Sequence, residues 1–212
     1  MIDLSYTLLS DGSSDRALIP IINWLLRNHL SDCAIEYQWA DLRRLDKSLK
    51  NTFEKRIQMS IDLYPCDLLF IHRDAEKEPH GYRVSEIQSA ISKLSDAIPP
   101  IVCVVPVRMT EAWLLSDISA LRKAASNPNG KVSLSLPILK KIEDEPDPKK
   151  ILNGLLREAS ELSSQRLKRF SESERVHRLS ELTTDFSLLR ILPSFLALES
   201  EIKCVIQQQS WK

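Results

Sequence analysis

Acidic side chains directly follow three apolar, strand-like segments of the chain. They are Asp11 and Asp15 after residues 2–9, Asp74 and Glu76 after residues 67–72, and Glu111 after residues 101–105. Ligands of open parallel α/β sheets bind outside the carboxyl ends of the strands, so we expect these side chains to face one another. Carboxylates that converge without a counterion repel each other. The cluster therefore predicts either raised pKa values or a bound divalent cation.

Asp74 and Glu76 have the spacing that best suits a shared metal ion. Alternate residues of an extended segment point the same way, so both carboxylates can approach one ion. Asp11 would supply a third oxygen from the neighbouring strand. Hard oxygen ligands suit Mg²⁺ or Mn²⁺, which assist phosphoryl chemistry by neutralising charge and orienting water.

Four strands and the helices between them must position these acids. The strands are predicted at residues 2–9, 33–40, 67–72 and 101–105. Helical apolar spacing follows each of them, including a stripe that recurs every four residues from Leu45 to Ile61. Such alternation predicts an α/β fold, with a mostly parallel sheet between helices and right-handed crossovers.

The pattern changes after Ser126. The segment NPNG is a turn, KVSLSLP is either a short strand or an extended loop, and helices are predicted near 149–162, 171–182 and 194–207. We therefore divide the chain into an α/β domain, residues 1–126, and a helical extension packed on it, residues 127–212. The helical part from Lys149 onward has about 65 residues, which make only a marginal core on their own, so the extension is not expected to fold independently.

Composition excludes several functional classes. Apolar residues make up 43% and charged residues 27%, as in ordinary globular proteins. With only four glycines the chain has neither GxGxxG nor a P-loop, and its four cysteines lack metal-ligand spacing. No apolar run reaches the roughly 18 residues of a membrane span, and the N-terminus lacks the basic region of a signal peptide. A cytoplasmic protein without membrane contact is expected.

Any nucleic-acid footprint must be local, because 29 Lys and Arg balance 29 Asp and Glu. Between Lys149 and Arg178 there are eight basic residues against four acidic ones. This stretch is either a phosphate-binding surface or a solvated helical face. The candidate nucleic-acid-binding residues are Lys149, Lys150, Arg166, Lys168 and Arg169.

The ordered acidic motifs resemble those of a known family. An acidic residue, Gly12 and Asp15 after the first strand, followed by Asp74-x-Glu76 after the third, are similar to the Toprim domain of topoisomerases, primases and overcoming-lysogenization-defect-type nucleases. The segments MTEAWLLSD (109–117), DPKKIL (147–152) and LPSFLALE (192–199) resemble small stand-alone Toprim-like proteins encoded beside ATP-binding-cassette ATPases in bacterial defence loci.

This resemblance implies a Toprim or Rossmann-like fold. It also implies a Mg²⁺-dependent nuclease that acts in anti-phage defence with an ATPase partner. A homo-oligomer is compatible with it. Carried over, Asp11 is the acid/base or metal ligand, and Asp74 and Glu76 are metal ligands. The supporting residues are Gly12, Asp15, Arg73 and Glu111, of which Arg73 either binds phosphate or offsets the acidic charge.

Two departures keep a second hypothesis open. The family usually carries Glu where this chain has Asp11, and Asp-x-Asp where it has Asp74-x-Glu76. Both favour a non-catalytic Toprim-like subunit that binds nucleic acid or regulates the ATPase. Phosphatase and receiver folds also place acids at strand ends. They fit less well. A phosphatase of this kind needs Asp-x-Asp directly after the first strand, which this chain lacks. A receiver needs a Lys at the end of a later strand, where this chain offers only Arg108.

Overall fold

Four parallel strands form one sheet in the computed structural model, which describes residues 2–43, 45–46, 50–94 and 97–211. The strands are β1 (Ile2–Leu9), β2 (Cys33–Trp39), β3 (Leu68–His72) and β4 (Ile101–Val104). Each lies within two residues of its predicted range. β3 is buried along its whole length, as its continuous apolar run predicts.

Eight α-helices are described, and the C-terminal ones confirm the predicted ranges to within two residues. They are α1 (Leu18–His29), α2 (Phe53–Leu63), α3 (His80–Ile91), α4 (Ile118–Ala124), α5 (Pro148–Ser160), α6 (Ser164–Leu167), α7 (Glu172–Leu182) and α8 (Pro193–Gln208). The α/β class predicted from the sequence is confirmed. None of the described helices is long and apolar enough to cross a membrane.

Two predicted elements begin or end differently in the structure. The helix expected from Leu45 begins only at Phe53, because the Thr52 hydroxyl caps it by accepting a hydrogen bond from the Lys55 amide. Leu49, part of the predicted stripe, lies outside the described residues. The helical stretch after Pro106 is a 3-10 turn, Thr110–Leu114. Residues 131–137 form an irregular connection and not a strand.

The strand order is β2-β1-β3-β4. The chain leaves β1 toward β2 on one side and later leaves β3 toward β4 on the other, so the order reverses between β1 and β3. Leu9 pairs with Ile71, which sets the carboxyl ends of these two strands side by side. This reversal point is where open α/β sheets form their ligand-binding crevice.

A hydrophobic core lies on each face of the sheet. On one face Phe70 and Tyr6 pack with helices α1, α4, α5, α7 and α8. Trp113 and Phe195 meet edge to face there, with ring centroids 5.4 Å apart. On the other face Ile71 packs with α2 and α3. The larger core thus contains residues from both sides of residue 126, while the boundary itself stays a prediction.

Candidate functional site

A polar cleft of about 310 Å³ lies at the reversal point between β1 and β3. Its lining residues come from the loop after β1, from the end of β3, and from α3. They are Asp11, Gly12, Ser14, Asp15, His72, Arg73, Asp74, Glu76 and Arg83. We call this the acidic cleft. It brings together the three predicted metal ligands and three of the four predicted supporting residues.

The loop after β1 is folded around Asp15. Asp15 Oδ2 accepts a hydrogen bond from the Gly12 amide at 2.8 Å, and its Oδ1 accepts one from the Ser14 hydroxyl at 3.2 Å. The 3-10 turn Ser13–Ala17 starts there and leads directly into α1. Local hydrogen bonds therefore turn the Asp15 carboxylate inward, where it is buried.

His72, the last residue of β3, lies between two carboxylates. Its side chain is 2% exposed, with Nε2 3.1 Å from Asp74 Oδ1 and Nδ1 3.4 Å from Asp15 Oδ2. The Nδ1 contact has an ion-pair distance but not hydrogen-bond geometry. Burial alone lowers the pKa of His72, yet the hydrogen bond with Asp74 and the negative charges of Asp15 and Asp74 outweigh burial and raise the pKa to about 10. His72 is therefore an imidazolium that links the two acids at neutral pH.

Burial raises the pKa of Asp15, but the close contact with the charged His72, together with the hydrogen bonds from the Gly12 amide and the Ser14 hydroxyl, more than offsets burial. The pKa of Asp15 is therefore lowered overall. Asp15 and His72 form a buried ion pair that lines the acidic cleft.

Asp74 is oriented by its Oδ1 atom. That oxygen accepts hydrogen bonds from His72 and from the Thr110 amide, the latter at 3.0 Å. The Thr110 hydroxyl is 3.2 Å from His72 Nε2, which extends the network to the turn after β4. Asp74 Oδ2 has no hydrogen-bond partner among the described residues. One oxygen is thus fixed by the protein and the other is available to a ligand.

Asp11 is paired with arginines. Arg56 Nη1 donates to Asp11 Oδ1 at 2.6 Å, and Arg73 Nε lies 3.5 Å from Asp11 Oδ2. Arg73 also contacts Glu86 at 3.2 Å. The predicted acid/base is therefore held in an ion-pair network that includes Arg56, a residue that reaches it from α2.

Glu76 is the most exposed of the predicted ligands, with 66% of its side chain accessible. Its backbone is left-handed, with φ of 54°, and its carboxylate is 3.8 Å from Arg83. Arg83 in turn donates to the Asp74 carbonyl and to Glu86. Arg83 thus connects both ends of the Asp74-x-Glu76 motif.

The donor chemistry of the acidic cleft suits a hard cation. Asp74 Oδ2 and the Glu76 carboxylate are oxygen donors of the kind that Mg²⁺ takes, and Mg²⁺ often uses only one or two carboxylates with waters and substrate phosphate. Within the described residues no three His, Cys, Asp or Glu side chains are already arranged around one ion position. Asp11 would have to leave Arg56 to become a third ligand.

Glu111 lies beside the acidic cleft and not in it. It lines an adjoining cleft that shares Ser14 with the first. Burial raises the pKa of Glu111, and the nearby charges of Asp74 and Asp15 raise it further, while Lys149 lowers it from 3.7 Å away. Glu111 is therefore a buried acid beside the acidic cleft, and Lys149 partly offsets its negative charge.

The predicted basic residues divide into two groups. Lys149 and Lys150 line a further cleft beside that of Glu111. The second group is exposed on and just after α6 and lines none of these three clefts. It consists of Arg166, Lys168 and Arg169. The structure therefore brings only the first two near the predicted site.

The sequence analysis did not predict the contacts of Arg56 and Thr110 or the position of His72 between two acids. His72 carried a usable signal, because it ends a buried strand one residue before Arg73 and two before Asp74. Arg56 lies 45 residues from Asp11 on another helix, and Thr110 reaches Asp74 only through the loop after β4. Neither spacing has a local signature.

Comparison with protein-family models, with curated proteins and with solved structures finds no match for this chain.

Proposed function

We propose that the chain is a Mg²⁺- or Mn²⁺-dependent phosphodiester-cleaving nuclease that acts at the acidic cleft. The observation that supports this most is the side-by-side arrangement of carboxylates and arginines at the reversal point of the sheet. Carboxylates there can hold a cation, and arginines there can hold a phosphate. The resemblance to Toprim proteins supports the same chemistry from the motif order.

In this proposal Asp74 and Glu76 hold the metal ion. When bound, Mg²⁺ would neutralise phosphate charge and stabilise the charge that develops in the transition state. His72 and the Thr110 amide keep Asp74 Oδ1 in place, so Oδ2 can bind the metal ion without a rearrangement of the side chain. Asp15 stabilises the imidazolium of His72 from below.

Arg56 and Arg73 would exchange partners when substrate binds. Both now contact Asp11, and a phosphate group can take their donors in the same planar, charge-assisted way. The exchange would release the Asp11 carboxylate close to the scissile phosphate. Asp11 can then accept the proton of the attacking water, which is the general-base role.

The ion pairs around Asp11 also favour a second candidate function. Arg56 and Arg73 already compensate Asp11, and the imidazolium of His72 already compensates Asp15 and Asp74. A site whose charges are balanced needs no cation for stability. This favours a non-catalytic subunit that binds nucleic acid or regulates an ATPase.

The two functions are separated by a cleavage assay. The purified chain is incubated with plasmid, single-stranded DNA and tRNA, with Mg²⁺, Mn²⁺ or EDTA. The nuclease proposal expects metal-dependent cleavage that Asp74→Asn abolishes without unfolding the protein. Asp144→Asn, an exposed carboxylate at the end of the 3-10 turn Leu139–Asp144, is the control and should cleave normally. Metal-independent binding without cleavage would select the second candidate.

Cytoplasmic location, action in anti-phage defence and an ATP-binding-cassette-type ATPase partner belong to the same proposal. The defence role and the ATPase partner are supported by the resemblance of residues 109–117, 147–152 and 192–199. Co-purification of the chain with an ATPase encoded beside it would test the partner. The cleavage assay should be repeated with that complex, because a partner can be needed for turnover.

A further inference from the structure

A second, larger cleft of about 940 Å³ lies between α1 and α7. None of the acids of the acidic cleft lines it, and its volume is that of a generous ligand site. Its cationic and aromatic lining residues are Arg16, Arg27, Arg178, Trp24, Tyr37, His177 and Phe186. We call this the α1/α7 cleft.

Helical periodicity builds both walls of the α1/α7 cleft. One wall is a single stripe from the 3-10 turn Ser13–Ala17 into α1, and the other is a stripe on α7. Residues three or four apart share a helix face, so each wall presents its polar side chains together. The first stripe is Arg16, Pro20, Asn23, Trp24 and Arg27, and the second is Glu174, His177, Arg178 and Glu181.

The arginines of the α1/α7 cleft differ from those of the acidic cleft. Arg56, Arg73 and Arg83 each have a carboxylate within 4 Å. In the described part of the chain, no carboxylate lies within 4 Å of the guanidinium of Arg16, Arg27 or Arg178. Their donors are therefore open to an external anion.

These arginine donors have few other partners. Arg178 Nη1 meets the Ser126 hydroxyl at 3.4 Å, and the Arg16 guanidinium lies 5.5 Å above the Trp39 ring. A guanidinium presents five donors in a planar fork that matches phosphate oxygens. Phosphate is thus an anion that these side chains can bind in a bidentate way.

Tyr37 adds an aromatic surface to the same cleft. One side of its ring stacks on Tyr6, with centroids 6.0 Å apart and planes 29° apart. The residue remains 51% exposed, although it lies on β2. An exposed ring fixed by a stacked neighbour can receive a nucleobase by stacking.

The span of the cleft indicates an extended ligand. Arg16 and Arg27 are eleven residues apart along one helical face, which corresponds to roughly 16 Å. Stacked nucleotides advance about 3.4 Å each, so this length matches roughly four or five of them. Several phosphates of one strand can therefore reach the arginines together.

We infer that the α1/α7 cleft binds a single-stranded nucleic acid, with its phosphates on Arg16, Arg27 and Arg178 and a base on Tyr37. The inference rests on the proposed function and extends it to the binding of substrate. Arg16 directly follows Asp15, so a nucleic-acid strand bound in the α1/α7 cleft leads toward the acidic cleft. Binding itself requires no metal and no cleavage. A free mononucleotide offers the same phosphate and base, and the experiment separates the two ligands.

The test is fluorescence anisotropy with a labelled single-stranded oligonucleotide in EDTA. Arg27→Ala and Arg178→Ala should each weaken binding about tenfold, as for a lost hydrogen bond to a charged group. Together they should reduce the slope of log K against log salt by about 1.4, since each lost phosphate contact contributes about 0.7. Tyr37→Ala should also weaken binding, because it removes the ring on which a base would stack. Tyr37→Phe keeps the ring and should bind as the wild type does.

Lys140→Ala is the charge-matched control, because Lys140 is exposed and lies outside the α1/α7 cleft. It should bind as the wild type does. Equal affinity of Arg27→Ala, Arg178→Ala and the wild type would overturn the inference, as would an oligonucleotide that fails to bind. If AMP displaces the oligonucleotide and binds with the same affinity per mole, the cleft is a mononucleotide site and the inference of a bound nucleic-acid strand is wrong. Binding in EDTA without later cleavage would count against the nuclease proposal alone.

Discussion

His72 should carry a positive charge at neutral pH, and its loss should change how stability depends on pH. The free imidazole has a pKa of about 6.5, and Asp15 and Asp74 raise the pKa of His72 to about 10 in the folded protein. A shift of this size corresponds to up to about 5 kcal/mol of folding stability. The same interaction lowers the pKa of Asp15, so it is counted once.

The sign of the effect follows from the direction of the shift. A folded-state pKa above the unfolded value means that the contribution is complete below about pH 6.5 and disappears as the pH rises through about 10. His72→Gln removes the titrating group and leaves a neutral side chain of similar polarity. The unfolding free energy of the wild type minus that of His72→Gln should therefore decrease steadily across this interval.

Urea unfolding in EDTA, repeated between about pH 6 and pH 10, measures this difference. Burial raises the pKa of Cys66, and it raises that of Cys103 to about 12, so both thiols also reduce stability in alkali. Their contribution is common to the two proteins and cancels. NMR of the imidazole carbons should show His72 still protonated at pH 8. A difference that stays constant across the interval, or an imidazole that titrates near 6.5, would refute the bridge between the two acids.

Three further predictions concern the rest of the molecule. Glu199→Gln should cost about 3 kcal/mol, because Glu199 is 3% exposed and accepts a hydrogen bond from Arg190 at 2.8 Å. Arg190 is the main cause that lowers the pKa of Glu199 to about 2. The wild type should lose this contribution as pH falls from about 4.5, and an equal Tm of both proteins at pH 7 would contradict it. Gly130→Ala should destabilise by about 1 kcal/mol in chemical unfolding, because an added Cβ would lie 2.5 Å from Asn127 Nδ2 and displace this side-chain end from its hydrogen bond to the Ala159 carbonyl; unchanged stability would contradict the loss of that bond. Arg56→Gln should raise the KM for cleavage about tenfold if this side chain holds phosphate, and steady-state kinetics with an unchanged or lower KM would count against that role.

The fold was predictable because its elements carry strong local signals. β3 and β4 are short continuous apolar runs, which are typical of strands covered on both faces. The start of α2 was less predictable. Apolar spacing continues upstream to Leu45, and the Thr52 cap, followed by Lys55 at the third position, lacks the acidic partner of a capping box. The apolar periodicity upstream of Thr52 therefore outweighed a weak signal for the start of the helix.

The candidate site was predictable only in part. The strand ends gave the grouping of Asp11, Asp15, Asp74 and Glu76, because parallel strands bring their carboxyl ends to one edge. The ion pairs among them depend on side chains from distant elements. Arg56 reaches Asp11 across 45 residues, and no pattern in the sequence reports such a contact.

The α1/α7 cleft was not predicted at all. Its walls come from helices more than 140 residues apart, at Arg27 and Arg178, and its arginines are dispersed among apolar positions. The basic stretch between Lys149 and Arg178 drew attention to α5 and α6 instead. Local charge density does not reveal which cations lack a carboxylate neighbour.

A crystal of the chain grown with Mn²⁺ would show whether the acidic cleft binds a divalent cation. We expect one anomalous peak in the acidic cleft, within roughly 2.2 Å of Asp74 Oδ2 and coordinated by Glu76, and no peak in Asp74→Asn crystals. A wild-type cleft that stays empty at saturating Mn²⁺, with Asp11 still bound to Arg56, would contradict the metal-dependent mechanism.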